Sequence, residues 1–223
     1  MKRLGFVIIL ITIMASLAIA ACGGGNEDGT PTATRTPAAT EAPGELPAGL
    51  RDILDRAASL EYLKYDMTMA TPGLETVTVT FMMKMGHALK VDATNQELPS
   101  LSYIDMDSQK MCVYMPTADM AIPMDFSSAP PTATDYADKL KQYSPTIAGT
   151  ETIDGKSCMV VQYTTGQGET RMWIWEQYGF PIRIENTGIE GTEVIELKNI
   201  SFSPIPDSEF EMPAACQQAE GGN

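Results

Sequence analysis

The feature that most constrains the fold is a succession of short, strand-like segments joined by brief connections. In the clearest segment, residues 76–85, Val77, Val79, Phe81 and Met83 alternate mostly with threonine and lysine. Such period-2 patterning is typical of a strand that buries one face. Short connections require antiparallel neighbours, because parallel strands need a longer crossover. The sequence therefore predicts about eleven antiparallel strands, at residues 63–69, 77–85, 87–94, 101–105, 110–115, 120–126, 146–153, 157–165, 170–176, 181–186 and 193–202.

Two amphipathic helices are predicted, one before the first strand and one between the sixth and seventh strands. The apolar positions of the first helix, spaced i, i+3, i+4 and i+7, are Leu50, Ile53, Leu54 and Ala57. Those of the second helix are Tyr136, Leu140 and Tyr143. This spacing places side chains on one side of a helix, and Pro145 favours an end to the second helix. The predicted class is therefore α+β, with residues 204–216 as an irregular tail.

The N-terminus has the organisation of an export signal. Lys2 and Arg3 precede an apolar run over residues 6–18, and Ala20-Ala21-Cys22 follows. A cationic start, an apolar core and small residues are typical of a signal peptide, and the run is shorter than the ~20 residues of a comfortable membrane span. An ordinary signal peptide and an uncleaved anchor helix are alternatives. The cysteine directly after two alanines resembles the bacterial lipoprotein signal, which implies lipid attachment at Cys22.

This interpretation divides the chain into four parts. Residues 1–21 are the predicted signal peptide, and residues 22–45 are the lipidated cysteine with a tether rich in threonine, proline and alanine. The tether has too few large apolar residues to form a core, and its prolines favour an extended conformation. Residues 46–216 are the predicted folded domain, and residues 217–223 are a disordered tail.

The chain is strongly acidic. Removal of residues 1–21, which contain two of the 15 basic residues, leaves 13 basic residues against 29 acidic ones. A surface of this charge repels nucleic acid and anionic head groups. A protein held at a membrane by lipid alone fits such a charge, and a nucleic-acid partner does not.

No motif for catalysis or metal binding is recognised in the sequence. Gly149 and Gly155 are separated by five residues, whereas a phosphate-binding loop needs four, and the single histidine, His87, has no partner pattern. The predicted protein is therefore a non-enzyme without cofactor or metal. Cys112, Cys158 and Cys216 remain beside Cys22, so at most one bridge forms among them. We expect a Cys112–Cys158 disulfide, because both lie in predicted strands; three buried thiols are the alternative.

Methionine and aromatic residues on the strands are the most informative side chains. Methionine is flexible and polarizable, and it suits surfaces that bind varied apolar partners. Trp173 and Trp175 share one face of a strand that is apolar on both faces, so helices or a ligand must cover it. Packing in the core and lining of a pocket are both consistent with this pattern. The candidate ligand wall comprises Leu63, Met67, Val79, Phe81, Met83, Met111, Val113, Trp173 and Trp175.

Three stretches add a resemblance to a known family. They are Gly-Thr-Glu-Thr-Ile-Asp-Gly at 149–155 before Val-Val-Gln-Tyr at 160–163, Met-Trp-Ile-Trp at 172–175 before Phe-Pro-Ile-Arg at 180–183, and Ile-Pro-Asp-Ser-Glu-Phe-Glu-Met-Pro at 205–213. With the order of elements, they resemble the LolA/LolB-like superfamily, which includes outer-membrane lipoprotein carriers. The resemblance implies a strongly curved antiparallel sheet, an incomplete β-barrel of about eleven strands, with two helices covering its open side and an apolar cavity for acyl chains.

The predicted function follows from the anchor and the resemblance together. We expect an extracytoplasmic lipoprotein, anchored to the outer face of the cytoplasmic membrane, that binds a lipid or other apolar ligand in the half-barrel. The alternative is an envelope interaction or sensor lipoprotein with a filled core and a protein partner. The predicted anchor and the lack of a recognisable basic entrance distinguish the chain from the soluble carriers of the family.

Overall fold

The computed structural model describes residues 45–125 and 140–220, without the side chains of residues 218–220. Helix α1 spans Ala48–Ala57, and Leu140 and Lys141 are also helical. The first six strands are β1 Tyr62–Ala70, β2 Val77–Lys84, β3 Ala88–Asp92, β4 Leu101–Asp105, β5 Lys110–Met115 and β6 Met120–Asp125. The other five are β7 Thr146–Ile153, β8 Lys156–Thr165, β9 Gly168–Trp175, β10 Phe180–Gly188 and β11 Gly191–Ser201. A 3-10 turn at Asp207–Glu209 and helix α2 at Ala214–Glu220 follow.

All eleven strands form one curved, open sheet in the order β6-β5-β4-β3-β2-β1-β11-β10-β9-β8-β7. Every pairing is antiparallel, and strand β1 joins the two halves by pairing with both β2 and β11. Strands β6 and β7 are therefore the two edges. The predicted number of strands and their antiparallel pairing are confirmed.

Local sequence explains where these elements begin and turn. Asp154 and Gly155 both have positive φ, 49° and 74°, which a tight two-residue hairpin requires at its central positions. The predicted hairpin between β7 and β8 is confirmed there. In α1, the predicted apolar stripe is the buried one: Leu50, Ile53, Leu54 and Ala57. Tyr136 and most of the second predicted helix, like Cys22 and nearly all of the signal and tether segments, lie outside the described residues.

The two faces of the sheet are distinguished by what packs on them. We call the face that α1 covers the α1 face; there, helix residues pack with Val161, Met172 and Ile174. Cross-strand partners point to the same side of a sheet, so the register carries this face from one half to the other. The successive partners are Val161, Met172, Ile184, Ile195, Met69 and Val77.

The opposite face carries the C-terminal tail, and we call it the tail face. Lys84 Nζ and Lys90 Nζ lie 2.8 Å from carboxylate oxygens of Asp207 and Glu209, respectively. Helix α2 contacts β5 and β6. The tail is therefore more ordered than predicted, and α2 extends into the segment 217–223 that was expected to be disordered.

The predicted Cys112–Cys158 disulfide is wrong, because Cys112 is bonded to Cys216. Strand β5, which carries Cys112, and β8, which carries Cys158, are separated by seven intervening strands. A disulfide needs Cα atoms within about 7 Å, whereas the tail brings Cys216 to 6.0 Å from Cys112. Cys158 is a free, fully buried thiol, and burial raises its pKa.

Candidate apolar ligand surface

The α1 face of strands β1–β5 is a continuous apolar surface. Alternate residues along a strand share a face, and the register aligns these positions across all five strands. The apolar side chains on this face include Leu63, Met67, Val79, Phe81, Met83, Leu89, Val91, Ile104, Met111 and Val113. Seven of the nine residues of the predicted ligand wall are among them, so the structure brings those seven to one face.

Trp173 and Trp175 do not lie on this surface. They alternate along β9 with Met172 and Ile174, which pack against α1, so the two indoles point to the tail face. The structure therefore places them opposite the other seven wall residues. The sequence contained an indication of this placement. Arg171 lies two residues before Trp173 and must share its face, whereas an apolar ligand wall excludes an arginine.

Trp173 packs in a buried apolar cluster with Cys158, Val160 and Ile182, and polar groups contact the edge and face of its ring. Its Nε1 donates a hydrogen bond of 2.8 Å to Glu151 Oε2, and Arg171 also pairs with Glu151. The guanidinium carbons of Arg171 and Arg183 lie 4.7 and 5.4 Å from the centroid of the Trp173 ring. These contacts are cation–π interactions, and they give Trp173 a structural role on the tail face.

Helix α1 fills the β8–β10 half of the α1 face. Its residues Leu50, Ile53 and Leu54 form one buried cluster with residues of β8 and β9. The helix is held at the β9–β10 turn, where Arg56 donates a hydrogen bond to the Glu176 carbonyl. A Cβ at Gly179, where φ is +68°, would lie only 2.0 Å from the Ile53 carbonyl oxygen. Close backbone approach thus fixes α1 over this half of the face.

The β1–β5 half of the α1 face combines buried and adaptable side chains. Leu63, Val79, Phe81 and Val113 are buried, whereas the methionines of the predicted wall are half-buried. Tyr65 stacks on Phe81 with ring centroids 5.0 Å apart. Burial raises the pKa of the Tyr65 phenol well above its ordinary value, so this group remains neutral. Leu63, Tyr65, Val79, Phe81 and Val113 thus contribute apolar area to this half of the face and no charged group.

The tail face of the same strands carries their charged side chains. Lys64, Asp66 and Lys90 lie on it. Asp66 accepts hydrogen bonds of 2.6 Å from Asn199 Nδ2 and Thr80 Oγ1. These bonds lower the pKa of the Asp66 carboxyl, because they favour its charged form. The charged side chains of these strands therefore lie on the tail face only, although that face also carries apolar side chains such as Met82.

In the described ranges, 45–125 and 140–220, no group of three or more His, Cys, Asp or Glu side chains is arranged to hold a metal ion. His87 lies at the surface, with its Nδ1 3.1 Å from an Asp107 carboxylate oxygen. None of the helices in these ranges is both long enough and apolar enough to cross a membrane.

No protein-family model and no curated protein matches this chain. Among solved structures, an uncharacterized conserved protein from Thermus thermophilus is similar, with a TM-score of 0.56 and 9% identity over 74% of this chain and 94% of that one. A chain of the Pseudomonas aeruginosa MucA/MucB complex has a TM-score of 0.54 and 14% identity, over 76% of this chain and 63% of that one. These two similarities support the fold.

A LolA superfamily protein from Nitrosomonas europaea is also similar, at 14% identity over 73% of this chain and 97% of that one, with a TM-score of 0.33. A TM-score this low adds no argument about function. A LolA superfamily protein, the group that the sequence resembles, is thus among the solved structures similar to this chain.

Proposed function

We propose that the chain is an extracytoplasmic lipoprotein that binds a lipid or another apolar ligand on the β1–β5 half of the α1 face. The observation that carries the proposal is the separation of the two faces of β1–β5. One face presents leucine, valine, phenylalanine and methionine, and the other presents lysine and aspartate. Leu63, Val79, Phe81 and Val113 are already buried by the chain itself, so an acyl chain, which has the matching chemistry, would replace part of this cover and contact the half-buried methionines.

The energetics of such binding depend on area and adaptability. Each buried methylene contributes about 0.8 kcal/mol, so ten methylenes contribute on the order of 8 kcal/mol before the costs of ordering the ligand. The half-buried Met67, Met83 and Met111 can adjust their rotamers to chains of different shape. A binding site of this kind requires no catalytic group and no cofactor.

The N-terminal segment completes the proposal. Lipid attached to Cys22 would anchor the protein at the outer face of the cytoplasmic membrane, and residues 22–45 would serve as the tether. The strong negative charge of the chain fits an anchor of lipid without a basic patch. The two predicted helices would then cover the open side of the curved sheet, with α1 over its β8–β10 half.

A second candidate function is an envelope interaction or sensor lipoprotein whose α1 face is filled by its own chain. The similarity to a chain of the MucA/MucB complex favours this candidate, because that protein is described in complex with a protein. Binding of an apolar ligand distinguishes the two functions, because only the first function leaves the α1 face available to a ligand.

A face-matched pair of variants tests the first function. Phe81 and Met82 are neighbours on β2 and are both 8% exposed, but they point to opposite faces. A fluorescent fatty acid is titrated into the full-length chain and into the Phe81→Asp and Met82→Asp variants, with circular dichroism as the control for folding. We expect Phe81→Asp to weaken binding at least tenfold and Met82→Asp to retain it. Equal binding by both folded variants, or no binding by the wild type, contradicts the proposal.

A further inference from the structure

The large exposed apolar side chains of the described residues are concentrated at one end of the sheet. This is the end at which β1 finishes and β2 starts, and we call it the tip end. The six residues are Leu74, Leu98, Met120, Ile122, Ile147 and Ile189. Each lies in a connection at the tip end or within the first three residues of a strand that begins there. A single exposed leucine is ordinary, whereas six at one end require an explanation.

Three of these side chains lie on neighbouring connections near the middle of the sheet. Leu74, Leu98 and Ile189 belong to the β1–β2, β3–β4 and β10–β11 connections, and we call them the tip patch. Gln96 Nε2 donates a hydrogen bond of 2.7 Å to the Thr78 carbonyl, which holds the β3–β4 connection against β2. Thr71 Oγ1 donates one of 3.2 Å to Glu193, which joins the β1–β2 connection to β11. The three connections are thus fixed beside one another.

Each residue of the tip patch has a glutamate as its direct neighbour in sequence. The pairs are Leu74-Glu75, Glu97-Leu98 and Ile189-Glu190, and all six side chains are exposed. The three connections, residues 71–76, 93–100 and 189–190, contain no lysine or arginine. The patch therefore combines protruding apolar side chains with negative charge.

This chemistry discriminates between a membrane and a protein as the occupant. Surfaces that insert apolar tips into bilayers surround them with lysine and arginine, which attract anionic head groups. The glutamates of the tip patch repel such head groups. They complement a partner that presents lysine or arginine around an apolar pocket, because opposite charges steer two proteins together and fix their register.

We propose that the tip patch is a docking surface for a partner protein whose contact segment is apolar and basic. This surface is separate from the β1–β5 half of the α1 face, so the proposal goes beyond ligand binding and does not depend on it. Leu74, Leu98 and Ile189 are the anchors, and Glu75, Glu97 and Glu190 select the partner by charge.

Site-specific photo-crosslinking, in the cells that naturally make the protein, tests this proposal. Benzoylphenylalanine replaces Leu74, Leu98 or Ile189, one at a time, in the full-length chain, and it replaces Ser108 as a control. Ser108 is exposed in the β4–β5 turn at the other end of the sheet, separated from the tip end by the length of β4, about 17 Å for a strand of five residues. Mass spectrometry then identifies the cross-linked segment, and a charge reversal tests its electrostatic contact.

We expect all three tip positions to cross-link to one protein, through a segment rich in lysine or arginine. Glu75→Lys with Glu190→Lys should lower the yield at least tenfold, whereas Asp107→Lys at the other end should leave it unchanged. Phospholipid adducts at the tip positions would identify a bilayer as the occupant and overturn the proposal. A yield no higher than at Ser108, or one that survives the charge reversal, overturns it as well.

Discussion

Removal of the disulfide between Cys112 and Cys216 should destabilise the protein strongly. The bond closes a loop across a sequence separation of 104 residues. On the chain-entropy account, a closed loop of roughly 100 residues contributes about 4.7 kcal/mol to stability by restricting the unfolded chain. The ion pairs of Lys84 and Lys90 with the tail cannot replace it, because pairs that involve exposed charges are screened by solvent and salt.

Denaturant unfolding, followed by tryptophan fluorescence, measures this effect in the Cys112→Ala/Cys216→Ala variant. We expect a loss of unfolding free energy of about 3–5 kcal/mol, together with a higher m-value, because the unfolded chain is less compact without the bond. Cys158→Ala is the matched control, since it removes a buried cysteine without opening a loop, and it should cost much less. A loss of under about 1 kcal/mol in the double variant would refute the reasoning that the bond fixes the tail to β5.

Three further changes test the packing, the electrostatics and the anchor. Gly179→Ala should lower the unfolding free energy by at least about 1 kcal/mol more than Gly73→Ala. Both glycines have positive φ, but only Gly179 lies against α1. Equal losses in denaturant unfolding would contradict the close approach of α1 to Gly179. Asp66→Asn should be less stable than the wild type at pH 7, because hydrogen bonds lower the folded-state pKa of Asp66. The difference should shrink as the pH falls below about 4, the ordinary value in the unfolded chain, and a difference that does not change between neutral and acidic pH would contradict this. Cys22→Ser should move the protein from the detergent phase to the aqueous phase in a partition assay, and native protein found in the aqueous phase would exclude the anchor.

Most of the sheet was predictable because the local signals are strong and agree with one another. Alternating residues in β2 and paired turn residues such as Asp154-Gly155 determine strand and hairpin positions without reference to distant residues. The boundaries of β4, β5 and β7 match the prediction residue for residue. The predicted wall placed Leu63, Phe81 and Val113 on one face, and the register of the strands decides that they share it, because a shift of one residue would have reversed a strand.

The features that depend on distant parts of the chain were not predictable in this way. The partner of Cys112 depends on the strand order of the whole sheet, which places β8 far from β5. Helix α2, at Ala214–Glu220, is seven residues long, too short to be stable alone, so its formation requires packing against β5 and β6. The sequence could not show to which face of the sheet Trp173 points, because β9 is apolar on both sides. The packing of Met172 and Ile174 against α1 places Trp173 on the tail face.

Location of a bound acyl chain by NMR tests the proposed function most directly. Methionine ε-methyl groups are labelled with carbon-13 in the full-length chain, assigned by Met→Leu substitutions, and observed as spin-labelled stearic acid is added. Met67, Met83 and Met111 lie on the α1 face, whereas Met82 lies on the tail face. We predict stronger paramagnetic broadening of the first three signals than of the Met82 signal, because the effect falls steeply with distance from the nitroxide. Equal broadening of Met82, or no broadening at a saturating concentration of the fatty acid, would contradict binding on the α1 face.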